Sequence, residues 1–260
     1  MTALTELYAA ILADPHDLSR RLAYADALEA TDPDHARLIR VQVEAERVWT
    51  PQSGIPEELA RRRPGLVLKL RKRLGAVVAD LVDGSGLSGG FADVVRLSGA
   101  AFLERGEAVY GRVPVRHVIL TKVDVGLLGQ IMASPLLDRL SSLSLERNRI
   151  GDDGVRVLTE STHLRRLRWL SLAHCGIGAA GAEAFCAAAG GSLPELRWLG
   201  FDGNAVHLVP FGEGYDVLNP DPGPMHTTVS DFSVSMNERY GPFAWMDEAL
   251  VRNPPTFGDV

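Results

Sequence analysis

The groups in this chain that could do chemistry are few and scattered. His163, His174 and Cys175 come nearest to a zinc set, because imidazole nitrogen and thiolate sulfur are donors that zinc prefers. Their spacing is irregular, and Cys175 falls where a side chain turns inward to bond backbone groups. Asp152-Asp153-Gly154 has the opening of a calcium loop, but turn and helix-cap duty ahead of Val155 accounts for the same residues. Asp26 reads as a structural hydrogen-bonder. No nucleophile stands with a base and an orienting carboxylate in an arrangement that acyl or phosphoryl transfer would use. The residues predict no catalytic set, no metal site and no cofactor, and hence a protein that is not an enzyme.

The densest charge is basic. Arg61-Arg62-Arg63 and Lys69-x-Arg71-Lys72-Arg73 put seven cations in thirteen residues, with Leu66, Val67, Leu68 and Leu70 between them. Such a run suits nucleic acid or an anionic membrane surface. It equally suits an amphipathic helix whose arginines sit in solvent or pair with acidic neighbours. No aromatic residue interleaves for base stacking, and the chain carries a net charge of -6 with a pI near 5.7. The second reading is preferred; the membrane is set aside as a partner, and nucleic acid is kept only as an alternative.

What remains is a surface, and a repeat builds it. Leu140-xx-Leu143-x-Leu145-xx-Asn148-x-Ile150 returns as Leu167-xx-Leu170-x-Leu172-xx-Cys175-x-Ile177 and as Leu196-xx-Leu199-x-Phe201-xx-Asn204-x-Val206, with copies 27 and 29 residues apart. This is leucine-rich repeat spacing, and the period suits the strand, turn, helix and return loop of ribonuclease-inhibitor-like solenoids. Val95-x-Leu97 and Val118-x-Leu120 are degenerate earlier copies, each followed by a helical pattern at 101–110 and 127–132. About five parallel strands are expected between Gly90 and Val206.

Side chains alternate along a strand, so the aliphatics point inward and the residues between them line the concave face. One row is His117, Ser142, Trp169 and Trp198; the next is Ile119, Ser144, Ser171 and Gly200. Beyond them come Thr121 and Lys122, Glu146 and Arg147, Ala173 and His174, then Asp202 and Gly203, a rim of mixed sign. Trp169 and Trp198 should lie about 5 Å apart. They could pack on each other or under a C-terminal cover, or form an aromatic anchor beside the small residues Ser171 and Gly200.

The N-terminal third is helical. Leu4, Leu7, Tyr8, Ile11 and Leu12 mark one face of a helix that stops near Asp14-Pro15, and Asp17 caps a second carrying Leu18, Leu22, Tyr24, Ala25 and Leu28. Thr31-Asp32-Pro33-Asp34 breaks the chain before a third helix with Leu38, Ile39, Val41, Val43 and Val48. A further helical stretch is expected from Pro56 towards Leu81, kinked at Pro64-Gly65, with Asp83-Gly84-Ser85-Gly86 ending the helical region.

Leu7 to Glu46, with Asp14-Pro15, Arg21-Leu22-x-Tyr24-Ala25-Asp26-x-Leu28-Glu29 and Leu38-Ile39-Arg40-x-Gln42, resembles the bacterial repeat-companion domain, a short module found in front of leucine-rich repeats. The resemblance continues through Gly90-Phe91, Ala101-Phe102-Leu103, Pro114-Val115-Arg116 and Tyr240-Gly241-Pro242-x-x-Trp245. Ala27 stands where that family commonly has tryptophan, and Arg37 where an acidic residue precedes Phe-Ile. The resemblance implies architecture and carries no activity with it.

The reading is therefore α/β: a short leucine-rich-repeat solenoid behind an N-terminal α-helical capping domain. Domains are placed at 1–85 for the helical cap, 86–210 for the repeats and 211–260 for a loop-rich C-terminal cover. A strand edge and open core at the end of a solenoid require such a cover. The first twenty residues lack a secretion signal pattern, no apolar run reaches the ~18 residues of a membrane span, and Cys175 and Cys186 read as buried thiols of a cytoplasmic protein. The expected role is an adaptor that binds a protein or peptide through His117, Ile119, Lys122, Ser144, Glu146, Arg147, Trp169, Ser171, His174, Trp198 and Asp202. The alternatives are an accessory subunit docking on an enzyme or toxin through its helical domain, and a nucleic-acid binder through residues 61–73.

Overall fold

Two aspartates decide where the first helices begin. The computed structural model describes residues 3–50, 52–206, 208, 235–241 and 243–246. After α1 (Ala3–Ala13), the Asp17 carboxylate accepts the N–H groups of Ser19 and Arg20 and so opens α2 (Leu18–Leu28). Asp32 does the same for His35 at the head of α3 (Pro33–Val48), where Pro33 occupies a first-turn position that needs no N–H. α4 spans Glu57–Gly75 and runs through Pro64; residues 76–81, expected as helix, are successive turns.

The residues form two units, the first comprising 3–97 and 104–118 and the second 98–103 and 119–246 among those described. In the first unit, Gly84–Ser88 is a strand, β1, where only a break in helix was expected. It pairs antiparallel with β2 (Phe91–Ser98), and Ser88 faces Phe91 across a loop of Gly89 and Gly90. Both glycines have positive φ, 54° and 88°, as the tightest hairpin loops require. Gly90 also lies so close to α3 that a Cβ there would stand 2.8 Å from the Ile39 Cα. The core of this unit is Ile11, Ala25, Leu28, Ala36, Ile39, Val43 and Phe91. Tyr8, Tyr24 and His35 each bring a ring within 5.9 Å of Phe91.

α5 (Gly99–Arg112) and β3 (His117–Thr121) are shared between the units. The second unit continues with α6 (Val125–Met132), β4 (Ser142–Ser144), α7 (Gly151–Thr159), β5 (Trp169–Ser171), α8 (Ala179–Ser192) and β6 (Trp198–Gly200). The strands follow chain order, and β4, β5 and β6 pair in parallel. Leu143, Leu145, Leu170, Leu172, Leu199 and Phe201 are buried, as are Val155, Leu158, Ala182 and Phe185 from the helices.

Each repeat is pinned to its neighbour by side chains on backbone. Asn148 donates to the Leu120 and Leu145 carbonyls and accepts the Val123 N–H; Asn204 donates to Leu172 and Phe201 and accepts from Cys175 and Ile177. Between them, the Cys175 thiol donates to the Leu145 carbonyl at 3.1 Å. Asp152 does not cap its own helix. Its carboxylate accepts the Gly178 N–H at 2.7 Å, at the start of the next repeat's helix α8.

Of the C-terminal segment 211–260, only 235–241 and 243–246 lie among the described residues. Trp245 is buried, edge-on to Phe185 of α8 and stacked on Phe243, while Tyr240 and Arg239 bond Glu183. No helix among the described residues is long and apolar enough to cross a membrane.

Candidate functional site

Register brings the two tryptophans together. Ser142, Trp169 and Trp198 are direct partners across β4, β5 and β6, and Ser144, Ser171 and Gly200 form the next row. Strand alternation puts both rows on the face away from the buried leucines. Trp169, Trp198, Ser144 and Ser171 are half-buried, and Ser142 and Gly200 are buried. The Trp198 ring folds back along its own strand: a Cβ on Gly200 would meet its Cη2 at 2.6 Å and the Ser171 Oγ at 3.2 Å. The space that glycine leaves is thus taken by the indole of the same strand. Ile119, the β3 counterpart of Ser144, is half-buried.

Past the strands, one backbone turn recurs. Lys122, Arg147, His174 and Gly203 occupy equivalent places in four repeats, and each has φ between 55° and 68°. A side chain in this left-handed region is uncommon, and its fourfold recurrence shows that the repeat geometry imposes it. Lys122, Glu146, Arg147, His174 and Asp202 are all exposed, and Arg147 pairs with Glu146 at 3.1 Å. The rim has both signs, as its residues suggested. The His174 ring lies over Gly203, where a Cβ would be 2.1 Å from Nδ1.

His117 stands apart from these. It is buried in the first unit, only 6% exposed, and burial pushes its imidazole well below the ordinary histidine value, with Arg116 and Arg21 adding to the effect. It offers no surface of the kind expected from its place in the row.

The three residues weighed for metal are engaged elsewhere. His163 Nδ1 meets Asp138 Oδ2 at 3.0 Å, His174 covers Gly203, and the Cys175 thiol is pushed up to about 11 by burial. Asp26 is an exposed partner of Arg40, which also pairs with Glu29.

Two groups of residues were not anticipated. The first is a buried polar network in the first unit: Arg21 and Arg116 both reach Asp93 Oδ2, Arg21 also bonds the carbonyls of Pro15 and Gly89, and Arg116 bonds Glu46. A lone aspartate in the apolar run 91–95 was the available signal. The second is a repeated Leu-Arg-Trp-Leu at 167–170 and 196–199, which sets an exposed arginine before each tryptophan. The basic run on α4 is largely neutralised in place, with Arg61 on Glu57, Arg62 on Glu58, Lys69 on Asp34 and Arg73 on Asp32.

No curated protein matches the chain. The Leucine Rich repeat family matches residues 140–158 and 160–186, which hold β4, β5, the greater part of α7 and the first half of α8. In spacing, in register and in the inward-turned Asn148 and Cys175, the segment from Leu140 to Cys186 is built of leucine-rich repeats.

Proposed function

We propose that this protein is a non-enzymatic interaction protein, and that the strand face bearing Trp169 and Trp198 contacts a protein or peptide partner. Leucine-rich repeats are generally protein–protein interaction modules. The observation that carries the reading to this face is the direct register of two half-buried tryptophans on adjacent strands. Tryptophan supplies large, rigid contact area and is enriched where binding energy concentrates. Ser144 and Ser171 beside them, and the rim of Lys122, Glu146, Arg147, His174 and Asp202, supply polar contacts of both signs.

The mechanism is shape complementarity by a preformed sheet. Side-chain bonds from Asn148, Cys175 and Asn204 already hold the backbone of each repeat. Binding then orders few groups, which lowers the entropic cost of association. A nucleic-acid role for α4 is weakened by its ion pairs, since phosphate neutralisation uses cations that are available.

The test is affinity capture from native cell extract with wild type, Trp169→Ala/Trp198→Ala and Arg71→Glu/Lys72→Glu, each first shown to be folded by circular dichroism. The proposal expects a partner held by wild type and by the charge-reversed protein and lost by the tryptophan variant. Loss on charge reversal alone would move the function to the helical domain.

A further inference from the structure

The Arg-Trp steps of β5 and β6 are held in equivalent places. The N–H groups of Arg168 and Trp169 both donate to the Ser141 carbonyl, at 2.8 and 3.0 Å, and those of Arg197 and Trp198 both donate to the Arg168 carbonyl, at 2.8 and 3.0 Å. Adjacent strands are about 5 Å apart, so the two arginines enter the sheet as neighbours at one edge of the tryptophan face. Arg165 and Arg166, exposed in the turn before β5, add charge to that edge.

The acid available there is small. Arg168 meets Glu195 at 3.4 Å, whereas Arg165, Arg166 and Arg197 have no ion-pair partner among the described residues. Many other arginines are tied to acids, as at Arg40, Arg61, Arg73, Arg112 and Arg156. Arg37, Arg47, Arg71, Arg96 and Arg149 stand without an ion pair among the described residues but are not gathered beside the tryptophans in sequence. Four arginines outnumber the acids of this region, Glu195 on Arg168 and Asp138 on His163, and leave the edge positive on a chain whose net charge is -6. Guanidinium groups bind carboxylates through paired N–H donors, and arginine and tryptophan are both enriched at binding hot spots.

Resting on the reading that this face binds a protein or peptide, we propose that its ligand is an acidic peptide segment. Its carboxylates lie on Arg165, Arg166 and Arg197, and an adjoining apolar side chain lies against Trp169 and Trp198. A phosphate backbone fits less well. Its charge continues along its whole length, and further along the strands it would meet the exposed Glu146 and Asp202. A peptide can confine its acids to one end.

The test is fluorescence anisotropy on the full chain with three labelled probes: a peptide in which a run of glutamates precedes a leucine pair, the same peptide with lysines for glutamates, and an oligothymidylate. The glutamate peptide binds wild type, more weakly as salt rises; Arg166→Glu/Arg197→Glu weakens it about tenfold or more, and the lysine peptide does not bind. Equal affinity of wild type and the charge-reversed variant for the glutamate peptide, or no binding of it, overturns the proposal. Tighter binding of the oligothymidylate also overturns it, in favour of a phosphate ligand. Capture from extract separates this failure from that of the wider reading. A partner lost by Trp169→Ala/Trp198→Ala but kept by the arginine variant sinks only the acidic ligand, whereas a partner kept by both sinks the face itself.

Discussion

Arg21 and Asp93, from α2 and β2, meet at 3.3 Å with neither side chain exposed. Arg116 reaches the same carboxylate oxygen at 3.1 Å, so one buried acid holds two guanidinium groups. Around it the hairpin loop is clamped by polar groups. Arg21 bonds the Gly89 carbonyl, His35 donates to the Gly90 carbonyl at 2.7 Å, and Gln42 accepts the Gly90 N–H. Taking the acid away leaves two like charges facing each other out of water. Asp93→Ala should therefore cost about 3–5 kcal/mol, against about 1 kcal/mol or less for Arg40→Ala at the surface. Urea denaturation measures both; an Asp93→Ala protein within about 1 kcal/mol of wild type would contradict this account.

The buried histidines of the same unit predict acid sensitivity. Burial lowers both His117 and His35, and for His35 the bond to Gly90 works partly against it. Folded values below the unfolded one mean that the unfolded chain takes up protons first. Stability is then fully present above about pH 6.5 and is lost as pH falls below it towards the folded values. The melting temperature should be lower at about pH 5.5 than at about pH 7.5, and His117→Gln should shrink that difference. An unchanged difference in the variant would show that His117 is not its source.

In the repeats, Asn148 and Asn204 each satisfy several buried backbone groups at once. A buried donor or acceptor left unpaired costs about 1–3 kcal/mol, so Asn148→Ala and Asn204→Ala should each destabilise by at least about 2 kcal/mol. Thermal or urea unfolding of the variants checks this.

Burial pushes the Cys175 thiol up to about 11 and the Cys186 thiol up to about 12. Thiolate is the reactive form. Neither cysteine should react with a disulfide reagent at about pH 8 in the native protein, and both should react once it is denatured. Rapid labelling of native Cys175 would contradict its inward placement.

The repeats were legible because their signal is local: a strand, a turn and an asparagine or cysteine at fixed offsets place Leu143, Leu170 and Leu199 without knowledge of the rest. Asp17 was legible as a cap for the same reason, whereas Asp32 reads only as part of the break before the third helix and its capping of His35 emerges from the structure. Asp93 was not legible, since its partners Arg21 and Arg116 lie far away in sequence and only the folded unit brings them together. β1 escaped because Gly84-Ser85-Gly86 has the composition of a linker; pairing with Arg96, Val95 and Val94 makes it a strand. His117 sits at the right offset for the open row, but burial in the first unit removes it from that surface. The Trp198 ring over Gly200 is a rotamer outcome, which spacing does not encode.

The most direct test of the binding face is hydroxyl-radical footprinting of the protein alone and with its captured partner, read by mass spectrometry at Trp49, Trp169 and Trp198 and along residues 61–73. Partner binding is predicted to protect Trp169 and Trp198 while leaving Trp49 and the basic helix unchanged. Protection confined to the helix, with both repeat tryptophans oxidised as before, would contradict the account.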